Sequence, residues 1–273
     1  MTMATTDLGK DTRRHAVTMA RMTAKVGLLP LGIAGRRRAR DVVILGYHRV
    51  GVGRGEIDMR ASVFERQLDL LAVRGEVQSI EDALQHGGGV VLTFDDGTRD
   101  FYDTVLPLLV ARKLPAVLYL ATAMPDAPNS LGLGPGVSWS MLQESVDTGL
   151  VTVGSHTHTH SDLAKATDNE AEAEMRRSKE LIEDRLGSAC RHFAYPWGVG
   201  SPAADMVARR LFDTAAIDGW RTNRWGAIDP HRLGRTPILR SDGTVFFRIK
   251  VRGMLDSERH VYRLARRGPW RKR

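Results

Sequence analysis

The sequence predicts one α/β domain, a distorted (β/α) barrel built from parallel strands. Three observations lead there. Short apolar runs of strand length alternate with longer helical stretches from residue 41 onward, polar clusters follow several of those runs directly, and no linker rich in Gly, Pro or Ser divides the body. Strands alternating with helices imply parallel pairing through crossover connections. A chain of 273 residues is long enough for one large domain of this kind.

The elements follow in order. Val42 to Gly46 is an apolar run of strand length. Ser62-Val63-Phe64-Glu65 has the form of a capping box, after which Phe64, Leu68 and Leu71 fall on one helical face. Val90 to Phe94 is a buried-strand candidate, Phe101 to Lys113 a helical stretch and Pro115 to Ala121 a third strand. Met124 to Gly136, with three prolines and three glycines, is a long loop. Val151 to Ser155 is a fourth strand. Asp168 to Leu186 is the longest helix, with acids in its first turn and Gly187 just past its end. His192 to Tyr195, Pro202 to Leu211 and Thr214 to Ile217 continue the alternation as strand, helix and strand.

Composition narrows the function classes. Hydrophobic residues at 42% and charged residues at 26% are ordinary for a globular body and argue against disorder. The net charge of +8 suggests nucleic acid until it is located. Residues 1–40 hold nine basic residues against two acids and residues 248–273 hold ten against two, net +7 and +8, which leaves the body from 41 to 247 at −7. A basic groove across the folded domain is therefore not expected, and neither is a nucleic-acid partner. The ends read as appendages, either solvated or meeting an anionic surface. Three regions follow: a basic N-terminal extension over 1–40, a catalytic domain over 41–247 and a basic tail over 248–273.

A single cysteine, Cys190, forms no intrachain disulfide and offers no thiolate metal site; it reads as a small buried hydrophobe. The longest uncharged stretch near the N-terminus, Val26 to Gly35, is too short to span a bilayer, and Arg36-Arg37-Arg38 follow it where a leader would carry small neutral residues. Ala16 to Leu31 could form an amphipathic helix on a membrane surface. The expected location is cytoplasmic or peripheral at the inner face of the membrane, with export kept open by the pair Arg13-Arg14.

In barrels of this type chemistry gathers at the carboxyl ends of the strands. Tyr47-His48, Asp95-Asp96-Gly97, the run from Ser155 to His160, and Tyr195-Pro196-Trp197-Gly198 each follow an apolar run, so four strand ends deliver polar groups to one rim. Adjacent carboxylates at a buried strand end are costly unless a cation or hydrogen bonds relieve them. Taken alone, Asp95-Asp96-Gly97 also fits a surface turn. His156, His158 and His160 have the density of imidazole ligands. Spacing does not select two of the three; a helix after Ser155 would make His156 and His160 neighbours. Two histidines and a carboxylate leave positions open on Zn2+ or a similar divalent ion, which suits hydrolysis of an amide or ester.

These motifs resemble the polysaccharide deacetylase family, also called the NodB-homology family. Thr93-Phe94-Asp95-Asp96-Gly97, the pattern Ser155-His156-Thr157 with His160, and Phe193-Ala194-Tyr195-Pro196-Trp197-Gly198 carry the resemblance, which runs from about Leu45 to Pro237. It implies a NodB-type barrel, Asp95 as general base, and Asp96, His156 and His160 as metal ligands, with His158 a bystander or a group that supports a ligand. It implies removal of N-acetyl groups from an acetylated glycan containing N-acetylhexosamine; an O-acetyl esterase on the same fold and a catalytically silent relative that docks to a membrane or glycan assembly are the alternatives.

Two departures stand out. Where many members carry an arginine that steadies the base, this chain has Ala194, and neither Arg191 nor Arg235 can be assigned in its place from sequence. The late histidine that acts as acid is also missing; His231 lies in what reads as a surface loop. Gly46-Tyr47-His48-Arg49-Val50 resembles the branch that includes poly-N-acetylglucosamine deacetylases, which makes His48 the candidate acid. The backbone N–H of Tyr195 is the expected oxyanion donor and Trp197 an expected wall for the sugar.

Overall fold

A computed structural model describes residues 37–253 apart from Trp220 and the side chain of Ser130. The expected amphipathic stretch from Ala16 to Leu31 and most of both basic ends lie outside the described residues.

Nine strands are present among the described residues: β1 (Val43–Tyr47), β2 (Arg49–Val50), β3 (Asp58–Met59), β4 (Val90–Asp96), β5 (Ala116–Leu120), β6 (Val151–Ser155), β7 (His192–Ala194), β8 (Thr214–Asp218) and β9 (Leu233–Pro237). Seven of them close a barrel in the order β1-β4-β5-β6-β7-β8-β9, each neighbouring pair parallel. This is the NodB-type (β/α) barrel that the sequence led us to expect. The seam between β6 and β7 is thin, joined at the single register position Ser155 with Phe193. β2 and β3 form a small parallel ladder apart from the barrel.

Two apolar layers follow from the alternation of strand side chains. Ile44, Val91, Val117, Tyr119, Ala194, Ala216 and Leu233 fill the barrel, and Ile80 and Ala83 join them from α2 (Ile80–His86). Val43, Leu45, Leu92, Phe94, Leu118 and Phe193 point outward against the helices. Those helices are α1 (Ala61–Arg74), α3 (Leu106–Arg112), α4 (Trp139–Asp147), α5 (Asp168–Leu186), α6 (Pro202–Leu211) and α7 (Gly243–Val251).

α5 and α6 span the expected residues, and Thr167 with Glu170 forms a capping box at the head of α5. The capping box expected at Ser62 does not form. Val63 N–H and Phe64 N–H both donate to the Arg60 carbonyl, so the chain enters α1 two residues earlier, with Arg60 at the cap and Ser62 inside the helix. The stretch after Phe101 begins with a wide π turn, Phe101–Val105, before α3. Pro107 in the first turn of α3 has no N–H to continue an ordinary ladder.

The expected boundaries at 40 and 248 also shift. α7 runs across position 248, and the ammonium of Lys250, wholly buried, donates to Asp242 Oδ2 at 2.7 Å and to the Pro237 carbonyl at 2.8 Å. At the other end Arg37 N–H donates to the Arg252 carbonyl at 3.2 Å. Residues 37–40 and 248–253 are thus part of the folded unit, because burial and hydrogen bonding rather than charge decide where it stops.

Candidate active site

β4 points Val91, Thr93 and Asp95 into the barrel. Asp95 reaches the carboxyl end of the strand, and one residue later the chain leaves the extended conformation. Asp96 has φ 74°, which turns its carboxylate toward β6. Gly97 then takes φ 93°, and a Cβ there would run into Leu120. Two adjacent carboxylates, each 3% exposed, are thereby given different surroundings.

Asp95 is gripped by Arg235, whose Nη1 and Nη2 donate to its two oxygens at 2.5 and 2.8 Å. The guanidinium is buried and lies over the Tyr119 ring at 5.4 Å. Burial alone would push the Asp95 carboxyl upward, but Arg235, with His156 and His48 behind it, outweighs that and holds the group well below the usual carboxylate range. On its open side His48 Nε2 stands 3.7 Å from Asp95 Oδ2, with the imidazole 27% exposed.

Asp96, His156 and His160 bring one ligand atom each to within 4.8 Å of one another. His160 Nε2 lies 3.4 Å and His156 Nε2 3.9 Å from Asp96 Oδ1. His156 Nδ1–H donates to the Ala194 carbonyl at 2.7 Å, which fixes the tautomer and turns the Nε2 lone pair toward Asp96. Burial pushes the His156 imidazole down to about 4, so the ring is neutral near neutral pH. Asp96 Oδ1 is buried without a hydrogen-bond partner. A carboxylate oxygen with no hydrogen-bond partner, facing two imidazoles, fits a divalent cation, which would supply the missing partner.

The helix considered after Ser155 does not form. Thr157 and His160 instead take left-handed backbone, φ 66° and 58°, in a tight loop that folds His160 back beside His156. Glu174 of α5 braces this loop by accepting from His158 N–H at 3.0 Å, Thr159 N–H at 2.8 Å and Thr159 Oγ1 at 2.9 Å. His158 turns away, its Nδ1 2.9 Å from Thr122 Oγ1, and takes no place among the ligands. Four of the seven non-glycine residues with positive φ among the described residues, Asp96, Thr157, His160 and Trp197, stand at this rim. Such conformations cost on the order of 1–3 kcal/mol each, and strain of that kind gathers where side chains must converge.

The third motif is only partly as expected. Trp197 is 58% exposed and sets its ring edge-on to His160 at 5.0 Å, a position consistent with a wall. The Tyr195 N–H is not an oxyanion donor in this structure, because it donates to the Ala216 carbonyl at 3.0 Å, and the Tyr195 hydroxyl donates to Asp205 at 2.8 Å. His231 is remote from the site; it lies at the amino end of β9 with its Nε2 2.8 Å from the Phe212 carbonyl.

Arg235 and Glu174 are the residues that sequence reasoning left unassigned. Leu233-Gly-Arg-Thr-Pro does not read as a barrel strand, since it lacks an apolar run. Once β9 is placed, Arg235 shares the inward parity of Leu233 and must meet Asp95. Glu174 had no signal beyond being one acid among many in α5.

Fold and site together define a parallel-barrel protein with a two-histidine, one-carboxylate cluster beside a clamped carboxylate. The family model described as polysaccharide deacetylase matches residues 84–212 of this chain. Among solved structures it is similar to the Streptococcus pyogenes deacetylase PplD in complex with acetate, at 22% identity and TM-score 0.69, with 78% of this chain and 99% of that one covered. It is also similar to IcaB from Ammonifex degensii, at 25% identity and TM-score 0.68, with 78% and 98% covered. YxkH of Bacillus subtilis, whose name assigns it to the polysaccharide deacetylases, is 27% identical over 109 residues, 40% of this chain. That alignment spans 37% of YxkH.

Proposed function

We propose that the protein hydrolyses N-acetyl groups of a polysaccharide containing N-acetylhexosamine, with Asp95 as general base and His48 as general acid. The observation that carries this reading is the pair of opposed proton-handling groups on one rim. Asp95 is held ionised by Arg235, and His48 stands 3.7 Å from it, beside a cluster suited to a cation.

Asp96, His156 and His160 would hold the divalent ion, for which Zn2+ suits the nitrogen and oxygen donors. When bound, such an ion polarises an acyl oxygen and makes a nearby water more acidic. The residues of the chain then divide the proton work. Asp95 is fixed by Arg235 so that one edge of its carboxylate faces the open rim, where it takes a proton from the attacking water. His48, partly exposed at the end of β1, is placed to give a proton to the nitrogen as the C–N bond breaks, so that acetate and a neutral amine leave. Trp197 offers a flat apolar face at the mouth for a sugar ring.

An amide demands more of the acid than an ester does, since an amine departs poorly unless protonated. A pair of base and acid therefore favours N-acetyl over O-acetyl substrates. The silent-relative reading is disfavoured, because a buried unpartnered Asp96 oxygen beside two imidazoles is costly in a protein with no use for a cation. The test is acetate release from chitooligosaccharides and from matched O-acetyl sugars, measured with metal-stripped and reloaded protein. Release from the amide that depends on metal supports the assignment; release from esters alone would replace it with an esterase, and no release from either would support the silent reading.

A further inference from the structure

We propose that the two basic chain ends act as one anchor on an anionic lipid surface and that they leave the barrel at the pole opposite the catalytic rim, so that a bound molecule faces its site away from the bilayer. This concerns where the protein sits and does not rest on the chemistry proposed above.

The ends meet at one place. Arg37 N–H donates to the Arg252 carbonyl at 3.2 Å, and its Nη1 donates to the Gly89 carbonyl at 3.0 Å and the Val251 carbonyl at 3.5 Å. Gly88 N–H donates to the Arg40 carbonyl at 2.7 Å, and Arg40 lies over the Trp225 ring at 4.3 Å. Gly89 immediately precedes β4 and Asp41 nearly precedes β1, so this junction belongs to the amino ends of the strands. Asp95 stands at the other end of β4, about 16 Å along the strand at roughly 3.3 Å per residue.

Charge then sets an orientation. Residues 1–36 carry six basic residues against two acids, and residues 254–273 seven against two, net +4 and +5, with Arg37, Arg38, Arg40 and Arg252 beside the junction. The body from 41 to 247 carries −7. An anionic leaflet therefore attracts one pole and repels the rest. Because both segments start from the same spot, engagement of one holds the other near the surface, which raises its effective concentration there. Lipid is favoured over nucleic acid because apolar residues accompany the charges: Leu28, Leu29, Leu31 and Ile33 in one segment, Tyr262, Leu264 and Trp270 in the other. Such residues gain from a headgroup interface and gain little along a phosphate backbone. No helix of the described residues is long and apolar enough to cross a membrane.

The test uses the full chain and vesicles of phosphatidylcholine with or without phosphatidylglycerol. Binding is expected on the anionic vesicles and not on the neutral ones. Arg13→Gln with Arg14→Gln, and separately Arg271→Gln with Arg273→Gln, should each weaken it, by roughly fivefold per charge removed. For orientation, buried Cys190 leaves an introduced thiol free to take a dye. A dye on Gln85→Cys, in α2 at the basal pole, should be dimmed by a quencher carried on lipid, and a dye on Val52→Cys, in the loop after β2, should not. Equal quenching at the two positions, equal binding to neutral vesicles, or dependence on one end alone would overturn the proposal. So would displacement from the vesicles by duplex DNA at the same salt, which would assign the ends to nucleic acid.

Discussion

Arg235 holds Asp95 by both terminal guanidinium nitrogens, at 2.5 and 2.8 Å, across 140 positions of sequence. The two-point grip fixes the plane of the carboxylate as well as its place, which a lysine cannot do. Arg235→Lys should therefore keep the charge balance and the fold yet lower kcat on the order of 10²-fold, as expected for a reacting group displaced by about 1 Å. Arg235→Met should instead destabilise the protein by about 3–5 kcal/mol, because Asp95 is left buried and ionised without its partner. Thermal melting and steady-state kinetics on the two variants separate positioning from stability. Unchanged kcat in a well-folded Arg235→Lys protein would remove Arg235 from any positioning role.

Asp95→Asn should abolish turnover, a loss of about 10²- to 10⁴-fold for a general base, while metal content stays close to normal. His156→Ala and His160→Ala should lose metal and turnover together. Elemental analysis beside acetate release checks both halves, and near-full activity in Asp95→Asn would mean the base lies elsewhere.

Glu174 touches no ligand atom, yet it accepts the backbone N–H groups of His158 and Thr159 in the strained loop that delivers His160. Glu174→Ala should weaken metal affinity by about 10- to 100-fold, the usual range for groups that orient ligands. Glu174→Gln, which keeps one acceptor oxygen, should recover part of the loss. Competition with a chelating dye reads this directly and needs no substrate. Identical affinities in the two variants and the parent would make Glu174 a surface residue with no share in the site.

His48→Ala should bind metal normally and lose about 10²- to 10⁴-fold on an N-acetyl sugar. The matched O-acetyl sugar should suffer less, since an alkoxide draws its proton from water more readily than an amine departs unprotonated. Equal losses on both substrates together with loss of metal would make His48 a ligand or structural group.

Lys250 and Asp242 are both shut off from solvent and fasten α7 to the end of β9, the strand that carries Arg235. Lys250→Met should cost about 3–5 kcal/mol by stranding the Asp242 charge. The double change Lys250→Met with Asp242→Leu should recover part of that loss. Denaturant unfolding of Lys250→Met, Asp242→Leu and the double variant, each against the parent, compares them; a double variant destabilised by more than the sum of the two single losses would show that the carboxylate is needed for more than this pair.

What the sequence determined by itself is what local patterns encode. Apolar runs at β1, β4, β5 and β6, the capped helix α5, and the placement of His48, Asp95, Asp96, His156 and His160 just after strand-forming runs were legible because a strand's period and a helix's cap lie within a few residues. What only the tertiary structure decided depends on partners far apart in sequence. β9 forms from a strand with Gly, Arg, Thr and Pro in it because β1 and β8 offer hydrogen bonds on both sides. That pairing brings Arg235 to Asp95 in place of the arginine absent at Ala194. The same barrel pairing takes the Tyr195 N–H for Ala216, and the left-handed turns at Thr157 and His160 are held by Glu174 from another element. A motif states which groups are present at a strand end; closure of the barrel decides which of them are free, which are tied, and what each one faces.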